Sequence, residues 1–332
     1  MNKIEWDEYV EKHPESSFFH QTGWKKVIEN VYGFKAHYIA ARSNNGEIQG
    51  ILPLFEINQS TGRKLISLPF STEGGILANN KNACTKLIDI AKSIVKENNL
   101  DYLELRQEKN LDSDLKTKDY YYHMKLKLNN DSEIVWKNAD RKLRNAVRKA
   151  EKLGLTTDRG LKYLDDFYKI FSTNMRDLGT PVEKKGFFEE IVKQFPNKID
   201  IVIAKFKGKI IGTIFLIKHK KTIKSEWASS YKKYHGYNAS QLMYWKAIED
   251  ACKEGFEIFD FGRSMLDEGT YHFKRKFGAK PVQLHYKYFI NKGEMPDTRK
   301  TNWKRQIFAK CWSKLPMPIA NNLGPKIRML FP

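Results

Sequence analysis

The sequence predicts an α/β fold of two related domains, each a mixed β-sheet flanked by helices, and three observations carry that expectation. The chain has 332 residues, well beyond the ~100–150 at which single domains are commonest, so two cores of ordinary size are expected. A β-hairpin signature then occurs twice. YIAARSNNGEIQGILPL (38–54) and VIAKFKGKIIGTIFL (202–216) each give an IA strand, a turn carrying Gly46 or Gly208, the pattern G-[EK]-I-x-G, and a second apolar strand. Finally, the similarity continues downstream in the same order, as a helix and then a strand.

The helices fall at 84–98 and 240–254, each with apolar residues at helical spacing: Leu87, Ile90, Ala91 and Ile94 in the first, Leu242, Trp245, Ile248 and Cys252 in the second. Each run ends at KEN or KEG. The strands that follow are LDYLELR (100–106) and FEIFDFGR (256–263), so Asp101 answers Glu257, Glu104 answers Asp260 and Leu105 answers Phe261. These matches divide the chain into an N-terminal domain at 1–155, a C-terminal domain at 156–298 carrying the main site, and a basic, aromatic segment at 299–332.

Composition excludes several classes. No apolar run approaches the ~18–20 residues of a membrane span, and MNKIEWDEYVEKHPE has neither the basic start nor the apolar stretch of a leader. Cys84, Cys252 and Cys311 form no CxxC pair, which argues against a zinc cluster or a disulfide framework. A cytoplasmic protein is the expectation. His20, His235 and His272 have no paired ligand spacing, so no metal is expected, and no GxxxxGK[ST] run points to ATP hydrolysis. The formal charge of +20 sets up a field that concentrates anions: nucleic acid, phosphorylated sugars, CoA or acidic headgroups.

Between the repeats lies WKNADRKLRNAVRKAEKLG (136–154), in which Lys137, Arg141, Arg144, Arg148 and Lys152 fall on one helical face and Leu143, Ala146, Val147, Ala150 and Leu153 on another. Two readings stand: a solvated face, or an arginine rail for a phosphate-bearing ligand to which Arg144 and Arg148 would contribute. Gly154 suits a helix C-terminus.

A hairpin, a further strand, a helix and a parallel strand is the core order of the GCN5-related acetyltransferase (GNAT) fold, so two tandem GNAT-like domains are expected. In that fold two central strands splay apart and the next helix start receives a pyrophosphate, because its N–H groups and dipole favour anions. Here Lys233-x-x-Gly236-x-Asn238 only loosely follows the Arg/Gln-x-x-Gly-x-Gly/Ala pattern, and Asn238 or Ser240 as a plain N-cap is the simpler account. PFSTEGGILANN (69–80), in the comparable place of the first domain, has no match, which favours one working site.

Along almost the whole chain the motifs resemble the FemAB family: FHQTGW at 19–24, GILPL at 50–54, Arg141 to Ala150, RDLGTPV at 176–182, WASSY at 227–231, the Asn238 helix, FDFGRS and GTYHFKRKFGAKP. The version here looks most similar to FemAB-like proteins of exopolysaccharide and exosortase systems, with LPMPIANNLGP (315–325) in support. The resemblance implies transfer of an acyl or aminoacyl group onto an amine of a cell-envelope precursor, from acyl-CoA or charged tRNA as co-substrate, with no resident cofactor. An anionic precursor, nucleotide-linked or lipid-linked, is the implied acceptor. The helical hairpin insertion of some tRNA-using relatives is not evident.

The stretch FDFGRSMLDEGTYHFKRKFGAK (259–280) becomes the candidate site, since ligands of α/β domains gather at the carboxyl ends of strands. Lys274, in the position of the family's Phe-Lys pair, is read on an exposed loop, placed to neutralise a phosphate or a tetrahedral oxyanion. Tyr271 and Phe273 would wall the pocket, Arg263 offers a bidentate fork, and Gly269 and Gly278 permit turns. Asp260 is open between general base and structural acceptor. Tyr231, Asn238 and Ser240 complete the substrate-binding set. A basic β-hairpin with packing aromatics is the plain structural alternative.

Two other functions compete: an RNA- or tRNA-binding protein using the basic helix, and a non-catalytic scaffold of envelope assembly. Residues 299–332 hold eight Lys or Arg and no Asp or Glu, among Trp303, Ile307, Phe308, Trp312, Leu315, Leu330 and Phe331. They read either as a helix packed on the protein, broken early by Pro316, Pro318 and Gly324, or as a peripheral clamp on anionic membrane at its inner face.

Overall fold

The computed structural model describes residues 2–60, 62–266, 268–296 and 303–332. Two compact units emerge: unit 1 is Met1–Tyr121 with Gln283–Thr298 and Leu330–Pro332, and unit 2 is Tyr122–Val282 with Arg299–Met329.

The chain opens with α1 (Lys3–Lys12) and α2 (Thr22–Tyr32), then β1 (Lys35–Arg42), β2 (Ile48–Gln59), β3 (Gly62–Ser67), β4 (Leu77–Ala78), α3 (Lys81–Glu97), β5 (Tyr102–Gln107) and β6 (Lys116–Lys118). There follow β7 (Tyr121–Lys127), α4 (Ser132–Asn138), α5 (Arg141–Lys152), β8 (Thr156–Arg159), α6 (Leu164–Asp177), α7 (Lys185–Gln194), β9 (Ile199–Phe206), β10 (Lys209–His219) and β11 (Thr222–Ser230). The remainder is α8 (Ala239–Lys253), β12 (Ile258–Met265), α9 (Gly269–Arg275), β13 (Lys280–Gln283), β14 (His285–Ile290), α10 (Trp303–Trp312) and α11 (Met317–Arg328). One sheet runs β1-β2-β3-β5-β14-β6 with β4 on β2, and the other runs β13-β7-β12-β11-β10-β9-β8. Both mix parallel and antiparallel pairs.

The repeat read from the sequence holds to the level of register. Both hairpins form, β1 on β2 and β9 on β10, with Gly46 (φ +83°) and Gly208 (φ +74°) taking the left-handed turn positions that only glycine adopts freely. In the parallel pairs Lys64 faces Tyr102 as Thr222 faces Ile258, and Ile66 faces Glu104 as Lys224 faces Asp260. Glu104 and Asp260 are thus equivalent positions. One feature of the topology has no counterpart in the sequence reading: β7, from the first half of the chain, neighbours β12 in the second sheet, whereas β14, from the second half, pairs with β5 in the first.

Each sheet buries one face under the helix, α3 or α8, that precedes its parallel strand β5 or β12. In unit 1, Leu87, Ala91 and Val95 of α3 meet Leu52, Leu54, Leu65, Leu103 and Leu105. In unit 2, Leu242, Met243, Tyr244 and Ile248 of α8 meet Ile214, Leu216, Phe259 and Phe261, with Leu143, Val147 and Ala150 of α5 closing the layer. The opposite face of the second sheet is covered by α6 and α7 through Phe167, Phe187 and Phe188, packed on Phe215 and Trp227. Such aromatic pairs add about 0.5–1.5 kcal/mol each beyond their burial.

Three local expectations are corrected. The stretch around Lys274 forms α9, neither an exposed loop nor a β-hairpin, because Tyr271, Lys274 and Phe277 are buried at helical spacing while His272, Arg275 and Lys276 face outward. The basic helix is two helices: Ala139 is extended and Asp140 caps α5, accepting from Lys142 N–H at 2.7 Å, so Lys137 belongs to α4. Finally, the first tail helix does end ahead of Pro316, at Trp312, but helical structure resumes after it and runs through Gly324, and the prolines take part in that new start. They start α11, since proline costs nothing in a first turn whose N–H groups have no partner within the helix.

Candidate active site

Strands β11 and β12 pair at only three positions, Thr222–Ile258, Ile223–Phe259 and Lys224–Asp260, although both run on for several residues. The cause lies two residues further along β11. Against β10, Phe215 faces Trp227 and Leu216 faces Ser225, so Glu226 is a bulge residue, and a bulge bends its strand away from a neighbour. The opening contains a dense set of ionisable side chains.

Lys274 sits on α9 with 8% of its surface exposed, and its Nζ donates to the carbonyl oxygens of Gly262 (3.1 Å) and Arg263 (3.0 Å). These lie on the segment of β12 that β11 has left. Burial pushes the ammonium down to about 8, while Asp260 and Glu226 pull it up and Lys224 and Arg263 oppose them. Asp260 Oδ1 accepts from the N–H of Gly262 at 2.7 Å, and its Oδ2 lies 3.5 Å from Nδ1 of the fully buried His123 on β7. Gly262 has φ +72°, and a Cβ there would come within 3.3 Å of the Ser225 carbonyl oxygen, so the turn that presents both carbonyls needs glycine. On β11 the Lys224 Nζ stands 3.2 Å from Glu226 Oε2, an atom buried without a hydrogen-bond donor.

The remaining expected residues separate into groups. Arg263 is exposed on β12, next to the opening. Tyr271 is buried in the core, and Phe273 packs on Tyr244 (5.5 Å) and Phe277 (5.3 Å), so both rings belong to the core of unit 2 and do not wall a pocket. Tyr231, at the end of β11, lines a cleft of about 460 Å³ with Lys169, Lys209, Lys233 and Tyr234, and burial raises its phenol. Asn238 stands at the N-terminus of α8 in the left-handed conformation (φ 60°) with no side-chain capping bond, while Ser240 Oγ lies 3.4 Å from Ser230 Oγ. On α5, Arg148 lies over the Trp136 ring at 5.7 Å, and Arg144 has its Nε buried without a partner. His20 is a structural group in unit 1: its ring meets Ser17 Oγ (3.0 Å) and the Gly75 carbonyl oxygen (3.1 Å), and burial pushes it down to about 4.

Sequence reasoning missed Lys224, Glu226 and His123. The one available signal was KSE at 224–226, opposite charges two apart in a predicted strand. The equivalent place in unit 1 is closed. There β3 and β5 stay paired through Ser67–Leu105, and the Arg106 guanidinium bonds Glu104 (2.8 Å) and the carbonyl oxygens of Leu68 (2.8 Å) and Ser71 (2.6 Å).

Residues 137–275 match the acetyltransferase (GNAT) domain family. No curated protein sequence matches the chain. Among solved structures the fold is similar to FemX (TM-score 0.66, 15% identity, over 86% of this chain and 96% of that one). It is also similar to the C-terminal domain of a putative lysylphosphatidylglycerol synthetase from Agrobacterium fabrum (TM-score 0.58, 12% identity, 86% and 90%). A tandem GNAT protein from the clavulanic acid biosynthesis pathway gives a TM-score of 0.53 at 9% identity, over 89% and 96%. At such identities these likenesses are of fold. The chain is a tandem GNAT-fold protein, similar in fold to FemX, and its acetyltransferase (GNAT) domain at 137–275 makes it an acyltransferase.

Proposed function

We propose that the site in unit 2 transfers an acyl or aminoacyl group onto an amine of a cell-envelope precursor of peptidoglycan or exopolysaccharide. One observation carries the reading: a buried lysine, held by two main-chain carbonyls, stands where β11 and β12 part. In the reaction the amine lone pair attacks the acyl carbonyl carbon, a C–N bond forms, and the carbonyl electrons move to oxygen. Collapse then breaks the bond to the thiolate or ribose oxygen. Lys274 is the preorganised cation for that oxyanion or leaving group, and Glu226, whose Oε2 has no donor, takes the proton of the amine. Asp260 is already engaged by Gly262 N–H, so it balances Lys274 and fixes the turn.

The donor end falls at α8. Gly236 has open space around it, and the first-turn N–H groups of Ala239, Ser240 and Gln241 lie outside the helix's own ladder, which suits the pyrophosphate of an acyl-CoA. A charged tRNA as donor is favoured instead by α5, where Arg141, Lys142, Arg144, Arg148, Lys149 and Lys152 have no carboxylate partner among the described residues.

The test is mass spectrometry of the protein incubated with acyl-CoA esters or charged tRNAs and with amine-bearing nucleotide-linked and lipid-linked precursors. An acceptor gaining the acyl mass, lost in Lys274→Met, is the expected result. Transfer by neither donor class, or full turnover by the variant, overturns the reading.

A further inference from the structure

Both C-terminal helices of unit 2 are seated on one short segment that follows α6. A Cβ on Gly179 would come within 2.5 Å of both the Cβ and the carbonyl oxygen of Ala309, so α10 lies directly against that glycine. A Cβ on Gly324 would lie 3.2 Å from the amide nitrogen of Val182, so α11 approaches the same segment with its own small residue. Arg176 donates to the Leu315 carbonyl oxygen at 2.8 Å, and Arg328 donates to Glu183 at 2.9 Å. The side chains that seat this arrangement are Trp312, Ala320 and Gly324, all buried.

What the seating leaves outside includes large apolar side chains. Leu178, Ile307, Phe308, Ile319 and Leu323 are exposed, from 41% at Phe308 to 64% at Leu178. Leu178 precedes the glycine that touches Ala309, and Ala309 follows Phe308. Ile319 and Leu323 are one turn apart on α11. Large side chains left in water cost free energy, and five of them carried by one loop and two helices mark a surface with an occupant.

The charges on the same elements select that occupant. From 303 to 332 there is no Asp or Glu. Lys310, Lys314 and Lys326 are exposed and have no carboxylate partner among the described residues, while Glu183 is engaged by Arg328 and Asp177 by Arg176. A two-fold contact between copies of this chain would set these cations against themselves. An anionic bilayer takes both features at once, apolar side chains at the acyl boundary and lysines among the headgroups. No helix among the described residues is long and apolar enough to cross a membrane, so the contact is peripheral.

We propose that Leu178, Ile307, Phe308, Ile319 and Leu323, together with the exposed Lys310, Lys314 and Lys326 of the same helices and their connection, form a docking surface for anionic lipid bilayers. This stands apart from the catalytic reading, since neither needs the other. The experiment is flotation of the full chain with vesicles of phosphatidylcholine alone or with three parts in ten phosphatidylglycerol. Ile307→Ser/Phe308→Ser and Lys310→Glu/Lys314→Glu/Lys326→Glu are compared with the parent, each checked by circular dichroism and thermal melting; Ile319→Ser/Leu323→Ser serves as a second apolar variant if the first does not fold. Co-flotation with phosphatidylglycerol vesicles only, weakened at high salt and reduced tenfold or more by either kind of variant, is expected. Absence of flotation, equal binding to neutral vesicles, or unchanged binding by the folded variants overturns the proposal, as does a dimer in light scattering that the apolar variant dissolves.

Discussion

Glu226 Oε2 lies 3.2 Å from the Lys224 ammonium inside the second sheet, with both side chains under a tenth exposed, yet no hydrogen-bond donor is directed at that oxygen. The bulge explains it. Lys224 is the last residue of β11 paired to β12, whereas Glu226 is the extra residue that turns the strand aside, so the carboxylate is held by charge and left open to a further donor. The proposed amine is such a donor.

Glu226→Gln keeps the shape and removes the base. We expect kcat to fall roughly 10²–10⁴-fold, the usual range for losing a general base, with KM nearly unchanged. Glu226→Ala also removes a carboxylate 3.2 Å from the buried Lys224 ammonium and is expected to lower stability as well. Kinetics and denaturant melts on both variants check this; equal kcat for Gln and parent would remove Glu226 from the reaction.

Lys274 gives a pH dependence with a defined sign. Its folded value is depressed to about 8, so between there and the ordinary lysine value of 10.5 the unfolded chain binds more protons than the folded one. Stability is therefore expected to rise with pH across that window, and Lys274→Met should flatten the rise. Turnover should move the opposite way, falling as pH passes about 8, because the proposed role needs the ammonium. The variant itself should lose about 10²–10³ in kcat. Melts and kcat from pH 7 to 10 measure both, and a kcat that keeps rising above pH 9 would deny the cation its role.

The residues that carried the fold in the sequence were those with local rules. Gly46 and Gly208 announce turns, the apolar spacing of α3 and α8 announces helices, and the matched order made Glu104 and Asp260 equivalent before their register was known. Legibility failed where a long-range contact decides. That Glu226 is extra depends on Phe215 and Leu216 across the ladder, and His123 reaches Asp260 only because β7 enters the second sheet. Around Lys274 the glycines at 269 and 278 suggested a loop, but Gly269 merely starts α9 and only Gly278 (φ +91°) uses its freedom. The aromatics expected to wall a pocket instead satisfy the core between α8 and β12.

Arg144 and Arg148 distinguish the donors. A phosphate on the α5 face would give Arg144 Nε the acceptor it lacks. If that face holds a substrate equally before and during reaction, Arg144→Gln/Arg148→Gln raises KM with little change in kcat. With charged tRNA the parent's affinity should fall steeply with salt, and each neutralised phosphate contact should lower the slope by roughly 0.7–0.9. With an acyl-CoA the slope is shallow and the double variant changes it little. Salt series of KM for parent and variant separate the cases, and an unaltered KM for both donors returns the face to solvent.

Gly179→Ala probes how firmly the C-terminal helices are seated. Two costs add at this position: φ is +72°, where an L side chain is strained by about 1–2 kcal/mol, and the new Cβ would overlap Ala309 at its Cβ, carbonyl oxygen and Cα. Gly154→Ala shares the first cost (φ +81°) with open space around it, so the difference between the two variants isolates the contact with α10. That difference is expected at about 1–3 kcal/mol, the usual cost of overpacking. Because two of the three overlapping atoms are main chain, adding Ala309→Gly should recover only part of it. Hydrogen exchange should accelerate in the amides of α10 and leave those of α8, in the buried layer, at parental rates. Equal destabilisation by Gly179→Ala and Gly154→Ala, with exchange in α10 unchanged, would show that α10 moves aside without cost and that Gly179 is needed for its backbone angle alone.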